Sequence, residues 1–152
     1  MNKVIFGGFV MGALAAGVFH QGTLFLLFHQ GHLWPALLEA VGRPPFPGWD
    51  LLRDVPGRDV PLLAAQAAVG GLWGILLAAL LRWTPVPDLL GGALLGVVAG
   101  AAVPSVLDQG PEVARAALAG AGFGWGCALL LRVVEIKPLG ALRMRHQWAP
   151  RD

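Results

Sequence analysis

Residues 4–38 read VIFGGFVMGALAAGVFHQGTLFLLFHQGHLWPALL, 35 residues without a lysine, arginine, aspartate or glutamate. Three further stretches also lack these charged residues, namely 60–81 (22 residues), 89–107 (19 residues) and 116–131 (16 residues). A helix needs about 20 mostly apolar residues to cross the hydrocarbon core of a bilayer. The sequence therefore predicts an all-α membrane protein with four transmembrane helices, at about 4–28, 60–82, 89–107 and 112–134.

The composition agrees with a chain that lies mostly within a membrane. Of 152 residues, 56% are hydrophobic and 13% are charged, whereas about 25% of the residues in soluble domains are charged. Domains mostly exceed about 50 residues, so there is no room for a separate soluble catalytic domain. We expect one transmembrane bundle over 1–152, with an outer loop at 29–59 and a cytoplasmic tail at 135–152. Prolines break the loop, and a short interfacial helix is expected at Pro35–Val41.

Lysine and arginine residues near helix ends predict the orientation. With four spans both termini share one side, which holds seven of these residues, namely Lys3, Arg82, Arg132, Lys137, Arg143, Arg145 and Arg151. The other side holds four, namely Arg43, Arg53, Arg58 and Arg115. The excess predicts that both termini are cytoplasmic. We expect the first helix to stay uncleaved, because its apolar run continues to Phe28, beyond the roughly 7–15 residues of a signal peptide.

Glycines four residues apart occur in all four predicted spans: Gly8 and Gly12; Gly70 and Gly74; Gly92, Gly96 and Gly100; Gly120 and Gly124, with Gly122 and Gly126. In lipid no hydrophobic force drives one apolar helix onto another, so close backbone approach at small residues supplies the contact. The glycine faces have two interpretations: packing within one bundle, or a face reserved for another subunit or a second copy.

The two halves of the chain are weakly alike. Residues 7–12 (GGFVMG) match 91–96 (GGALLG), and Trp73-Gly74 matches Trp125-Gly126. A two-helix unit that occurs twice would form a parallel repeat, because each unit returns the chain to its starting side. Glycine-rich apolar sequence also produces such matches by chance, so both interpretations stay open.

Polar side chains from all four spans are expected in one outer layer, formed by His20, Gln21, Gln66, Ser105, Asp108 and Arg115. His20 shares a helix face with Ala16 and Thr23, so it is expected to point toward the bundle centre. An ionisable group within a span is a functional candidate, and the expected partner of His20 is Asp108 or Gln66. The alternative is a neutral histidine that makes one structural hydrogen bond between helices.

Neither a metal nor a cofactor is predicted. His29 and His32 share a face if the helix continues, which makes them weak candidates for metal ligands. No cysteine, aspartate or glutamate completes a ligand set before Glu39, so interfacial histidines are the preferred interpretation. A haem held by two histidines needs ligands on facing helices, and no other predicted span contains a histidine.

Catalytic and nucleic-acid motifs are lacking. The only serine, Ser105, follows Pro104 and has no Gly-x-Ser-x-Gly turn, and the chain contains neither Gly-Lys-Ser nor Gly-Lys-Thr. We therefore predict no catalytic residue and no enzymatic activity. The sequence pI is about 9.3. We expect Arg143 and Arg145 in the tail to contact anionic lipid headgroups, and we expect no nucleic-acid partner.

Three motifs, 19–22 (FHQG), 70–74 (GGLWG) and 124–126 (GWG), resemble those of a family of small, uncharacterised four-span proteins of the bacterial inner membrane. The resemblance covers most of the chain. It implies a multi-pass protein of that membrane and no particular activity.

Two functional hypotheses follow. The first is a non-enzymatic accessory or assembly subunit of a larger membrane complex, held by small-residue helix faces. Its partners would be membrane lipids and other membrane subunits or further copies of the chain. The second is a small oligomeric transporter or channel with an outer polar vestibule around His20. The apolar cytoplasmic halves of the spans weaken the second, because a continuous aqueous path needs polar lining on both sides.

Overall fold

A computed structural model describes the chain over residues 2–49, 54–55, 59–83, 86–105 and 111–134. The helices are α1 (Asn2–Ala15), α2 (Gln21–Gln30), α3 (Pro35–Val41), α4 (Leu62–Trp83), α5 (Asp88–Ser105) and α6 (Pro111–Val133). A π-helical turn, Ala16–His20, joins α1 to α2, and we call these three segments together the first helix. A 3₁₀ turn, Gly31–Leu33, follows it. Within the described residues the only β-pairing is an isolated bridge between Asp54 and Pro61.

Three helical segments are long and apolar enough to cross a membrane, judged by length and composition: Lys3–Leu33, Leu62–Trp83 and Val113–Val133. α5 is also apolar, but its stretch Asp88–Ala102 is shorter. The prediction of an all-helical protein with membrane-type helices is therefore confirmed for the described residues. The fourth span and the orientation of the chain stay predictions.

The first helix extends beyond its predicted end near residue 28. No proline occurs between that point and Pro35, so α2 continues to Gln30 and the 3₁₀ turn to Leu33. Trp34 leaves the helical region, with φ −128° and ψ 68°, because the ring of a following proline disfavours the α conformation. α3 then begins at Pro35 and coincides with the predicted short helix. The predicted tail, 135–152, lies outside the described residues.

α1 and α4 form an antiparallel pair whose backbones meet at glycines. A Cβ atom added to Gly8 would lie 2.8 Å from the Cα of Ile75, and one added to Gly12 would lie 2.6 Å from the Cα of Gly74. Gly12 also faces the carbonyl of Gly70. Later residues of α1 therefore contact earlier residues of α4, as expected for antiparallel helices. Neither position has room for a side chain.

α5 and α6 form a second antiparallel pair of the same kind. A Cβ atom added to Gly124 would lie 2.9 Å from the Cα of Gly96, and one added to Gly120 would lie 3.0 Å from the Cα of Gly100. At the other end of the contact, a Cβ atom on Gly92 would lie 2.5 Å from the carbonyl oxygen of Gly124. Close backbone approach gives each pair many dispersion contacts in place of a hydrophobic driving force.

The two pairs contact each other mainly through the first helix and α6, while α4 and α5 touch much less. The ring of Phe19 lies where a side chain on Gly126 would be, and the hydroxyl of Thr23 lies in the same way against Gly122. Phe19 also meets the ring of Trp125 edge-on, with centroids 5.8 Å apart. The second glycine face of α6 is therefore occupied by side chains of the first helix.

A packed core fills one end of the bundle, where the last residues of α4 and α6 lie. We call this the Arg132 end. Its buried residues are Ala15, Ala16, Leu77, Ala78, Leu81, Phe123, Cys127, Ala128 and Leu131. At its rim, Arg132 Nε lies 3.3 Å from Asp88 Oδ2 and so links the end of α6 to the start of α5. The Arg132 side chain is 49% exposed, so this ion pair contributes at most about 1 kcal/mol.

Gly12→Ala is expected to destabilise the protein, because its methyl group would press on the backbone of α4. Overpacking of this kind costs about 1–3 kcal/mol of unfolding free energy. Titration of the purified protein with a denaturing detergent, followed by circular dichroism, measures the cost. Gly17→Ala is the matched control on the same helix, because nothing lies within 4 Å of its added Cβ atom. Equal losses of stability in the two variants would contradict backbone contact at Gly12.

Candidate functional site

A cavity of about 430 Å³ lies between the two helix pairs, at the end of the bundle where α4 begins, which we call the Leu62 end. Its volume falls within the roughly 300–1,000 Å³ that is usual for small-molecule sites. Four helices and the segment before α4 contribute to its wall, which comprises Ala16, His20, Val55, Leu62, Ala65, Gln66, Val69, Gly70, Trp73, Gly96, Ala99, Gly100, Ala116, Gly120 and Phe123.

The cavity follows from the way the helices pair. Glycine contacts hold α4 to α1 and α5 to α6, but no such contact holds α4 to α5. The wall includes small residues of both helices, such as Ala65 on α4 and Ala99 on α5, as well as larger ones of α4 such as Trp73. Because α4 and α5 touch little, the space between the pairs stays open at the Leu62 end.

His20, Gln66 and the indole of Trp73 are the polar side chains in this otherwise apolar wall. His20 Nδ1 is buried and has no hydrogen-bond partner among the described residues. The Oε1 atom of Gln66 accepts a hydrogen bond from Gln21 Nε2. A buried polar atom without a partner costs free energy, so His20 is the wall residue whose hydrogen-bonding capacity is left unsatisfied.

The π-helical turn sets the backbone around His20. Gln21 N–H donates to the carbonyl of Ala16, five residues earlier, as well as to that of Val18. In an α-helix the carbonyl of Gly17 would accept this bond. The π-turn therefore leaves the Gly17 carbonyl available, and it accepts a hydrogen bond from the indole Nε1 of Trp49. Single π-turns inside α-helices occur frequently at functional sites.

Trp49 anchors the segment after α3 onto the first helix. Its backbone N–H donates to Gln21 Oε1 at 3.1 Å, and its ring lies 5.1 Å from that of Phe25, centroid to centroid. Trp49 has a φ of 43°, which is rare for a residue other than glycine. The preceding Gly48, with φ 78°, fits against the Gln21 carbonyl, where an added Cβ atom would lie 2.9 Å from the oxygen. The surrounding contacts hold the chain in this conformation.

Gln21 is the centre of the polar contacts at the Leu62 end. It is 2% exposed, and its amide donates to Gln66 on α4 and accepts from Trp49. One side chain thus connects the first helix, α4 and the segment after α3. The predicted outer layer is brought together in part, because His20 and Gln66 line one cavity and Gln21 bonds to Gln66. The Gln66 Oε1 atom accepts from Gln21, whereas Asp108, the other expected partner of His20, lies outside the described residues.

Arg115, another member of the predicted layer, contacts the segment after α3. Arg115 Nη1 donates to the carbonyl of Arg43 at 3.1 Å. Arg43 in turn lies over the ring of Phe28, at 4.7 Å from its centroid, and donates to the Phe28 carbonyl at 3.2 Å. Ser105 is the last residue of α5 and its side chain is not described, and Asp108 lies outside the described residues.

The histidines at the end of the first helix have other surroundings. His29 is exposed and contacts two rings, with centroid distances of 4.4 Å to Phe25 and 5.0 Å to Phe28, and His32 is also exposed. The described part of the chain contains no group of three or more histidine, cysteine, aspartate or glutamate residues that could hold a metal ion. Arg143 and Arg145, predicted to contact lipid headgroups, lie outside that part.

Sequence reasoning missed the role of Trp49. An amphipathic ring favours the membrane interface, and no pattern in the sequence links this residue to Gly17 or Gln21. The one available signal was Gly48, since a glycine before an aromatic residue in a proline-rich segment is typical of a turn with positive φ. The π-turn has no comparable signal in this sequence.

Comparison of the chain with protein-family models, with curated proteins and with solved structures finds no match. The resemblance to small four-span proteins of the bacterial inner membrane therefore stays a prediction. The arrangement of the cavity and its polar residues is what supports a function for this chain.

Gln21→Leu is expected to lower the unfolding free energy by about 1–3 kcal/mol, because it leaves Gln66 and the Trp49 N–H without partners. Leucine has a similar size, so the lost hydrogen bonds account for most of the change. Denaturing-detergent titration of the purified protein measures it. Gln30→Leu, an exposed position on the same helix, is the matched control and is expected to change stability by less than about 0.5 kcal/mol. A Gln21→Leu protein as stable as the control would exclude Gln21 as a structural centre.

Proposed function

We propose that this chain is a non-enzymatic, multi-pass protein of the bacterial inner membrane that binds a lipid-soluble molecule in the cavity between its two helix pairs. The cavity is the observation that carries this proposal. Its volume is about 430 Å³, and all but three of its fifteen lining residues have apolar side chains or none. A wall of this chemistry favours molecules that partition into the membrane over ions or sugars, which need polar partners in place of water.

The proposal includes four spans with both termini in the cytoplasm. α5 has 18 residues and is therefore about 27 Å long, close to the roughly 30 Å thickness of a hydrocarbon core. Its antiparallel contact with α6 supports a helix that returns across the membrane. The seven lysines and arginines on the side of the termini, against four on the other, support the orientation. In this arrangement the cavity lies in the outer half of the membrane.

The accessory-subunit hypothesis stays a prediction. One of its motivations was small-residue faces in excess of what one bundle can use. Every pair of glycines four apart that the sequence contains packs against another part of the same chain. Packing at these glycines is proposed to hold the bundle together in lipid, and association with further subunits stays a prediction without a described surface that favours it.

Binding is also better supported than conduction. A channel or transporter needs a path through both halves of the membrane. At the Arg132 end the bundle is filled by Leu77, Leu81 and Leu131, each at most 5% exposed. A closed apolar core below an apolar cavity favours a molecule that enters and leaves from the same half of the membrane.

Ala65→Phe is expected to abolish binding, because a phenyl ring at this position would fill part of the cavity. The probe is dodecanol carrying a photoreactive diazirine, added to the full-length protein in lipid nanodiscs. Saturable labelling, competed by unmodified dodecanol, is measured by mass spectrometry of peptides from α4, α5 and α6. We expect it in the wild-type protein, and a loss of most of it in Ala65→Phe.

Ala68→Phe is the matched control, since Ala68 is on the same helix and exposed. It introduces the same ring outside the cavity, so labelling of the wall should persist. The wild-type result alone decides the proposal if Ala65→Phe fails to fold. Labelling of the wild-type wall that neither saturates nor responds to competition would overturn it.

A further inference from the structure

We propose that the cavity selects an amphiphile with an uncharged oxygen head group, a hydroxyl or a carbonyl, which binds at His20 while its hydrocarbon body extends toward Trp73. This inference rests on the proposed function, because it requires that the cavity binds a lipid-soluble molecule. It adds the chemical class of that molecule and its direction in the cavity.

The head-group position follows from where the polar atoms lie. His20 belongs to the wall, and its buried Nδ1 has no partner among the described residues. Gln66 also belongs to the wall, with Oε1 already bonded to Gln21, so its amide nitrogen is the atom left to donate. An imidazole nitrogen can accept from a hydroxyl or donate to an oxygen, and an amide N–H donates to an oxygen. An oxygen atom of a ligand therefore matches the hydrogen-bonding chemistry of this part of the wall.

The absence of a charged head group follows from the wall's lack of counter-charges. Apart from His20, no described residue of the wall can carry a charge. The nearest basic side chain on α6, Arg115, is outside the wall and donates to the Arg43 carbonyl. An ammonium group would find no anionic partner in the described wall, and a carboxylate or phosphate would require a protonated His20. Burial of either is more costly than burial of a hydrogen-bonded hydroxyl.

The direction of the ligand follows from the sequence of residues along α4. Gln66 and Trp73 are seven residues apart, so about 10 Å of helix separates the amide of Gln66 from the ring of Trp73 along the wall. Between them the wall consists of residues such as Val69 and Gly70 on α4 and Phe123 on α6. This stretch offers no hydrogen bond from a side chain. It accommodates a chain or ring system of hydrocarbon.

The test compares photoreactive diazirine probes of one chain length, with the head group as the only difference: dodecanol, dodecane, dodecanoate and dodecylamine. Each is titrated on the full-length wild-type protein in lipid nanodiscs, and half-saturation of labelling of the cavity wall is read by peptide mass spectrometry. We expect dodecanol to bind most tightly. In His20→Leu, dodecanol should bind roughly tenfold more weakly, while dodecane binding stays unchanged.

His29→Leu is the matched control, because His29 is an exposed histidine of the same helix outside the wall. It should leave all four half-saturation values unchanged. Retained dodecane labelling in His20→Leu shows that this variant still folds around the cavity.

The outcomes separate the two proposals. Equal binding of dodecane and dodecanol to the wild-type protein, or tighter binding of dodecanoate or dodecylamine, would overturn the head-group inference and leave the proposed function intact. Equal weakening of dodecanol by His20→Leu and His29→Leu would overturn the role of His20. Failure of every probe to label the wall saturably would overturn the proposed function itself.

Discussion

Contact between glycine backbones within two antiparallel helix pairs is the constraint on which the rest of this structure depends. In lipid an apolar side chain gains nothing from leaving its surroundings, so helices associate where their backbones can approach closely. Gly12 against Gly74, and Gly96 against Gly124, bring the helix axes nearer than any side chain would permit. Each pair is therefore a unit whose geometry is fixed by main-chain atoms.

The space between the pairs is a consequence of the same contacts. Since α4 is held to α1 and α5 to α6, neither is free to close onto the other at the Leu62 end. Phe19 and Thr23 attach the first helix to the second glycine face of α6, and large side chains fill the Arg132 end. What remains open is an apolar cavity with His20 and Gln66 in its wall. The π-turn contributes by presenting the Gly17 carbonyl to Trp49, which fixes the segment after α3 beside this wall.

The helices could be predicted from the sequence because length, hydropathy and prolines act locally. The short helix at Pro35–Val41 is an example, since proline both ends the preceding turn and starts the next helix.

The pairing of glycines could not be predicted, because spacing shows which faces are small and not which faces meet. The match of Trp73-Gly74 to Trp125-Gly126 illustrates this. Gly74 of α4 contacts Gly12 of the first helix, and the residue of α6 that makes the equivalent contact with α5 is Gly124. Gly126 contacts the ring of Phe19 instead. A parallel repeat thus stays a prediction. The helix contacts align Gly74 with Gly124, which is two residues from the alignment with Gly126 that the sequence match suggests. The cavity and the bond from Gln21 to Gln66 depend on this tertiary arrangement and have no local signal.

A crystal structure of the wild-type protein grown from a lipid phase tests the central claim most directly. The account predicts two glycine-paired helix units with an open space between α4 and α5, occupied by elongated density that ends at His20. Helices α4 and α5 packed against each other, with no space between Gln66 and Gly100, would contradict it.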